Sequence, residues 1–175
     1  DKFQVPDRVK RITERVMERG HLELKKFKSK KELLQWADRI GTAYNKAFVH
    51  NWEYYPLSQR EIDFVVENIM TIADYRLIKI ITHGDDVVGF LFAFHDVSAA
   101  LQRARGKLFP FGLVDILLEM RRTNRVSVNG MGILPEHQGH GGNALLYYAM
   151  GTTLLDFGQF AHVEMTQVAE TTEQM

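Results

Sequence analysis

The sequence predicts an α/β domain on a mixed sheet, and three observations carry that expectation. Runs that alternate apolar and polar residues are interleaved with apolar stripes at helical spacing. Two strand-like runs, Tyr75 to Ile81 and Val87 to Phe94, flank Gly84-Asp85-Asp86 in the pattern of an antiparallel hairpin. The run Arg125 to Ile133 breaks at Leu134-Pro135 into Glu136-His137-Gln138-Gly139-His140-Gly141-Gly142-Asn143, a glycine-rich loop that opens a helix.

In chain order, Pro6 to Arg19 carries Val9, Ile12, Val16 and Met17 at helical spacing and reads as a lead-in helix stopped by Gly20. His21 to Phe27 alternates and suits a first strand. The lysines between Lys25 and Lys31 then read as a solvated strand end and helix start rather than a phosphate site. Lys31 to Phe48 presents one apolar stripe through Leu33, Trp36, Ile40, Ala43, Tyr44 and Ala47, which predicts a single helix. After an aromatic segment, Ser58 with Glu61 three residues on predicts a capping box at the start of a second helix. Beyond the hairpin, Val97 to Arg105 and Gly112 to Arg122 read as an inserted helical pair. Gly130 and Gly132 within the next strand predict a bulge or a close backbone approach. Asn143 to Phe157 is the following helix, Gly158 its stop, and Ala161 to Val168 a last strand, which should lie parallel to the strand entering the loop.

A chain of 175 residues fits one domain, and 22 Lys plus Arg against 22 Asp plus Glu leaves no global field to recruit nucleic acid or a membrane surface. Cysteine is absent, so thiol nucleophiles, disulfides and thiolate metal sites are excluded. No apolar run approaches the ~20 residues of a membrane span, and the start is charged. A cytoplasmic location is the expectation.

The loop is the place to look for chemistry. Its glycines let the backbone come close to a ligand and turn N–H groups toward one point, and the helix that follows adds its dipole, so the expected ligand is a phosphate-bearing one. Gly139-x-Gly141-x-x-Ala144 also fits a dinucleotide fingerprint, with Glu164 about 20 residues on as ribose ligand. Against that, Pro135 to Gln138 separate strand from glycines and the upstream strands form a hairpin rather than a βαβ unit. No Lys-Ser or Lys-Thr pair follows, so a Walker loop is excluded. His137 and His140 lack a third ligand at recognisable spacing, and no metal is expected.

The arrangement resembles the acyl-CoA loop of the GNAT superfamily of acyl-CoA-dependent N-acyltransferases. Ile133-Leu134-Pro135 supplies the apolar-x-Pro step, Gln138 the Gln or Arg position and Gly141 the glycine, while Asn143 stands where Gly or Ala is usual. The element order from about His21 onward is likewise that of the GNAT fold. Two segments, Trp52-Glu53-Tyr54-Tyr55-Pro56-Leu57 before the Ser-capped helix and the insertion Gly106 to Leu113, are similar to a bacterial GNAT subgroup in which such a domain ends a longer chain. Residues 1–20 would then be a lead-in helix or the tail of a preceding region, and residues 21–175 the GNAT-like domain. The fold normally closes with one more helix and two more strands after Thr171. They are not in this sequence, and Thr172 stands where that helix often carries a functional Asn.

What the resemblance implies is transfer of an acyl group, by default acetyl from acetyl-CoA, to a primary amine on a small molecule or peptide. A homodimer is compatible with it. Met131, Gly132 and Ile133 would pair with the pantetheine, and Gln138, Gly139, His140, Gly141, Gly142 and Asn143 would hold the pyrophosphate. Trp52, Tyr54 and Tyr55 sit where this fold builds its acceptor wall, although the same rings could equally pack helices. Glu164 is the candidate base, His162 beside it the other titratable group. The rival function is a non-catalytic GNAT-like module that binds CoA or a partner protein.

Overall fold

The computed structural model describes residues 4–49, 54–105, 107 and 111–166. Its elements are α1 (Asp7–Arg19), β1 (Glu23–Lys25), α2 (Lys30–Leu34), α3 (Ala37–Phe48), α4 (Gln59–Ile69), β2 (Ile78–His83), β3 (Asp86–His95), α5 (Ser98–Ala104), α6 (Gly112–Arg122), β4 (Arg125–Ile133), α7 (Gly142–Phe157) and β5 (His162–Met165). The strands form one sheet in the order β1-β2-β3-β4-β5, antiparallel except for the parallel pair β4–β5. This is the mixed α/β architecture expected from the sequence, with the hairpin and the parallel crossover where the pattern placed them.

Each face of the sheet is covered. On one, Phe27, Leu33, Ala43, Ile78, Ile80 and Phe90 pack under α2 and α3. On the other, Ile81, Val88, Leu91 and Val126 meet Leu145, Leu146, Met150 and Leu154 of α7, with Val16 of α1 in the same cluster. α7 is apolar on nearly all sides because it lies between the sheet and α1, and only a helix covered from both directions tolerates that. The segment anticipated as a lead-in is therefore packed into this core.

Two local expectations are corrected. The stripe from Lys31 to Phe48 is two helices, broken at Gln35 and Trp36. There the Trp36 ring packs edge-on to Phe27 at 6.1 Å, with the Lys25 ammonium 5.0 Å and the Arg39 guanidinium 4.9 Å from it. These contacts favour the turn over a continuous helix. Tyr75 to Leu77 form a 3-10 turn rather than strand, because Asp74 accepts from the Arg76 N–H at 2.9 Å and caps it. The capping box is as expected: the Glu61 N–H donates to Ser58 Oγ at 3.4 Å and the Ser58 N–H to Glu61 Oε2 at 2.8 Å.

Candidate functional site

Among the described residues, β4 runs into the loop along an edge that β5 leaves open. Parallel pairing ends at Val128 opposite Met165, with the Thr166 N–H donating to the Val128 carbonyl at 3.0 Å, while β4 continues to Ile133. Opposite β3 the register steps from Phe92–Gly130 to Ala93–Val128, so Asn129 is the extra residue of a bulge. The Leu134 N–H donates to the Val88 carbonyl at 2.9 Å, which fixes the phase beyond the bulge. Antiparallel alternation then directs the backbone groups of Gly132 toward β3 and those of Met131 and Ile133 away from it, to the open side. Gly132 is required by packing: a Cβ there would lie 2.7 Å from Phe90 Cζ and 3.0 Å from Ala47 Cβ.

Between strand and helix, Pro135–His137 make a 3-10 turn, after which Gln138 turns its amide back and donates to the Ile133 carbonyl at 3.1 Å. The side chain braces the loop from within. Gly139 and Gly141 follow at φ +77° and +85°, both left-handed. Gly141 is the N-cap of α7 and no side chain caps this end. Its carbonyl accepts from Leu145, so the N–H groups of Gly142, Asn143 and Ala144 lie in the unbonded first turn. Asn143 and His140 are exposed, and a Cβ on Gly139 would meet nothing within 4 Å. The loop thus offers free N–H donors at the positive end of a 16-residue helix, open to solvent, which is a chemistry suited to phosphate oxygens.

α1 supports this start from behind. Thr13 is buried and its hydroxyl donates to the Ala144 carbonyl at 3.2 Å. A Cβ on Gly141 would lie 2.6 Å from Val16 Cγ2, and one on Gly142 3.0 Å from Ile133 Cδ1.

No protein-family model matches the chain. Over 99 residues it is 25% identical to the protein YghO of Escherichia coli K12, a match that covers 54% of this chain and 25% of that protein. Among solved structures, one from Clostridium difficile 630 described as a possible acetyltransferase superposes with a TM-score of 0.57 at 12% identity, covering 86% of this chain and 82% of that one. An aminoglycoside acetyltransferase from an uncultured soil metagenomic sample, crystallised with trehalose, gives a TM-score of 0.52 at 12% identity, with 87% and 81% covered. The fold is the GNAT fold.

Within that GNAT fold the structure places the remaining candidates as follows. The Tyr54 hydroxyl donates to Asn45 Oδ1 at 2.6 Å, and Asn45 also brackets Leu57 through both of its backbone groups. The Tyr54 ring lies 5.9 Å from Phe48 and 6.2 Å from Tyr44, in a cluster that reaches Phe90 and Phe92 of β3. Burial pushes the Tyr44 and Tyr54 phenols above their ordinary pKa, so both stay protonated and neither serves as a base. Tyr55 is 90% exposed and takes no part in the cluster. Trp52 lies outside the described residues, as does Thr172.

Glu164 sits on β5 opposite Ser127, half exposed and ion-paired with Arg125. It is one position short of the end of β4–β5 pairing, and six steps along β4, about 20 Å of strand, separate Ser127 from Ile133 at the loop. His162 is exposed at the far end of the same strand. The rings of His83 and His137 approach to 5.3 Å beside the loop. Among the described residues no group of three His, Cys, Asp or Glu could hold a metal ion, and no helix is long and apolar enough to cross a membrane.

Sequence reasoning missed the parts that Thr13, Val16, Asn45 and Asn129 play at the site. The first three act across the fold from positions whose local pattern is that of any amphipathic helix. For Asn129 a signal existed in the adjacent Gly130 and Gly132, which marked a bulge without locating it.

Proposed function

We propose that this chain is an acyl-CoA-dependent N-acyltransferase that moves an acetyl group from acetyl-CoA to a primary amine. The observation that carries the proposal is the uncapped start of α7, whose N–H groups follow, after the glycine loop, a length of β4 that has no strand on its outer side among the described residues. Gly139 to Asn143 would hold the pyrophosphate through backbone donors, with Gln138 fixing the strand end and Met131 and Ile133 turning their backbone groups to the pantetheine amides. The neutral amine attacks the thioester carbonyl, the C–N bond forms and the C–S bond breaks. CoA leaves as thiolate and takes up a proton. An N–H on the open side of β4, toward the point where β4 and β5 part, is suited to the developing oxyanion.

The amine must first lose its proton, and Glu164, close to where the two strands part, is the carboxylate assigned to that step once a substrate displaces Arg125. Tyr54, Tyr55 and Trp52 are assigned to the acceptor side, with Tyr54 as a fixed wall and Tyr55 as the exposed contact. Acetyltransferases among the structural relatives support the donor class. The acceptor follows from none of these observations.

The Arg125–Glu164 pair favours a second function, a GNAT-like module that binds CoA without catalysis. Two measurements on the full-length protein separate them. Calorimetry with CoA should give one-site binding under both functions. Thiol release from acetyl-CoA with a panel of primary amines should exceed hydrolysis only for the enzyme. CoA binding without thiol release for any amine would leave the module, and no CoA binding would refute both.

A further inference from the structure

A cleft of about 680 Å³ lies on the α1–α7 side of the sheet, between β1, β2 and the C-terminal half of α7. No residue of the glycine loop lines it, and β2 is two strands removed from β4. Its floor is Lys79, on β2. The Lys79 ammonium donates to the Arg76 carbonyl at 2.6 Å and to Thr153 Oγ1 at 2.7 Å, both neutral acceptors, and it has no carboxylate within ion-pair distance among the described residues. An ammonium carries three protons, so one donor is left for the cleft.

The charged groups around Lys79 do not supply the missing counter-charge. Lys25, Lys26 and Arg76 line the cleft with it, against Glu23 and Asp156. Lys25 is paired with Glu32 at 2.8 Å and Arg76 with Asp74 at 2.7 Å, so neither depends on a ligand. The rest of the wall includes Leu24 from the sheet and Tyr148, Thr152 and Phe157 from α7. Burial holds the Lys79 ammonium down at about 8, partly offset by Asp74 and Asp156 and reinforced by Lys26. A partly buried cation held only by neutral acceptors, at the base of a cleft with aromatic walls, lacks an anion among the described residues.

We propose that this cleft is a second ligand site, separate from the acyl-CoA groove, that binds a small amphiphilic carboxylate with its head on Lys79 and its apolar body along Tyr148 and Phe157. The carboxylate accepts the third Lys79 proton in a charge-assisted hydrogen bond, and 680 Å³ is within the usual range of small-molecule pockets. The site does not depend on the acyltransferase function.

The test uses octanoate as probe. Calorimetry at pH 7 should show saturable one-site binding to the parent protein. Octanoate affinity should fall about tenfold in Lys79→Met, the loss of one charge-assisted bond, and by a similar factor when the pH is raised to 9.5 and Lys79 deprotonates. Octylamine and octanol should bind at least tenfold more weakly than octanoate at pH 7. CoA binding should be unchanged in Lys79→Met, so loss of the glycine-loop site is distinguished from loss of this one. Should Lys79→Met fail to fold by circular dichroism, the pH series on the parent protein decides alone. Equal affinity for octanol, no change between pH 7 and 9.5, undiminished binding in folded Lys79→Met, or no saturable binding to the parent protein each overturns the proposal and leaves Lys79 as a tie between β2 and α7.

Discussion

Replacing Gly141 with alanine separates two reasons why glycine stands in the loop. At φ +85° a β-carbon meets the left-handed penalty of roughly 1–2 kcal/mol. It would also lie 2.6 Å from Val16 Cγ2 and 3.2 Å from Ile12 Cγ2, so α1 or the loop must shift, at a further cost of roughly 1–3 kcal/mol. Gly141→Ala is therefore expected to destabilise the protein by about 2–5 kcal/mol, a large part of the 5–15 kcal/mol typical of a domain. Gly139→Ala is the control: its φ is +77° and a Cβ meets nothing within 4 Å, so only the backbone part, about 1–2 kcal/mol, applies. Urea unfolding with constant m-values measures both. In a Val16→Ala background the closer clash is gone and only the Ile12 Cγ2 contact at 3.2 Å remains, so Gly141→Ala should then cost little more than Gly139→Ala, a coupling of about 1–3 kcal/mol. Equal costs for the two glycines in the parent background, or no coupling to Val16, would refute the account. One consequence concerns ligand tests: Gly141→Val would lose CoA by unseating α1 as readily as by filling the pyrophosphate space, so it cannot report on the loop alone.

A cleaner probe is His140→Asp, which adds a negative charge at an exposed loop position. CoA affinity by calorimetry should fall about two- to fivefold at low salt, and unchanged affinity would count against a pyrophosphate at the start of α7. For the aromatic segment, Tyr54→Phe removes the hydroxyl bound to Asn45 and should cost about 1 kcal/mol in urea unfolding, whereas Tyr55→Ala should stay within about 0.5 kcal/mol. Glu164→Gln should lower kcat for amine acetylation by about 100-fold or more if Glu164 is the base, while the loss of its exposed pair with Arg125 costs under about 1 kcal/mol. A kcat within a few-fold of the parent would remove it from the role. Finally, His95 is buried between Phe157 and Phe160 with Nδ1 unpartnered among the described residues, and burial lowers its pKa below the usual 6.5. The unfolded chain then binds the proton more readily, so this contribution to stability is complete above pH 6.5 and is lost as pH falls toward the folded-state value. Urea midpoints at pH 5 and 7 should differ less in His95→Phe than in the parent.

The sheet was legible because its signals are local. The continuous apolar run Val87 to Phe94, the Gly84-Asp85 turn and the Ser58–Glu61 capping box each depend on residues within a few positions of one another, and each is present as expected. The single helix from Lys31 to Phe48 was not legible as two, because an apolar stripe is continuous whether or not a turn interrupts it. What breaks it is a tertiary event, Trp36 packing on Phe27 from β1's end. Tyr75 to Leu77 shows the converse: the residues continue into the strand's apolar run at Ile78, but the Asp74 side chain competes for the backbone.

The loop shows most clearly why a motif underdetermines a site. Three glycines in four positions pointed to close approach by a ligand, yet the structure gives each a different cause. Gly139 is left-handed with open space around it, the condition for backbone N–H groups to face an anion. Gly141 admits Val16, so its missing Cβ serves α1 as much as any phosphate, and Gly142 admits Ile133 from the end of β4. Sequence spacing records only that side chains are absent. It does not record which neighbour excludes them, and that neighbour can be 125 positions away, as Val16 is from Gly141. The anion site and the α1 contact therefore share one turn of backbone, and α1 acts on the proposed CoA site without touching it: by filling the space behind Gly141 and binding the Ala144 carbonyl through Thr13, it fixes the direction of the first N–H groups of α7.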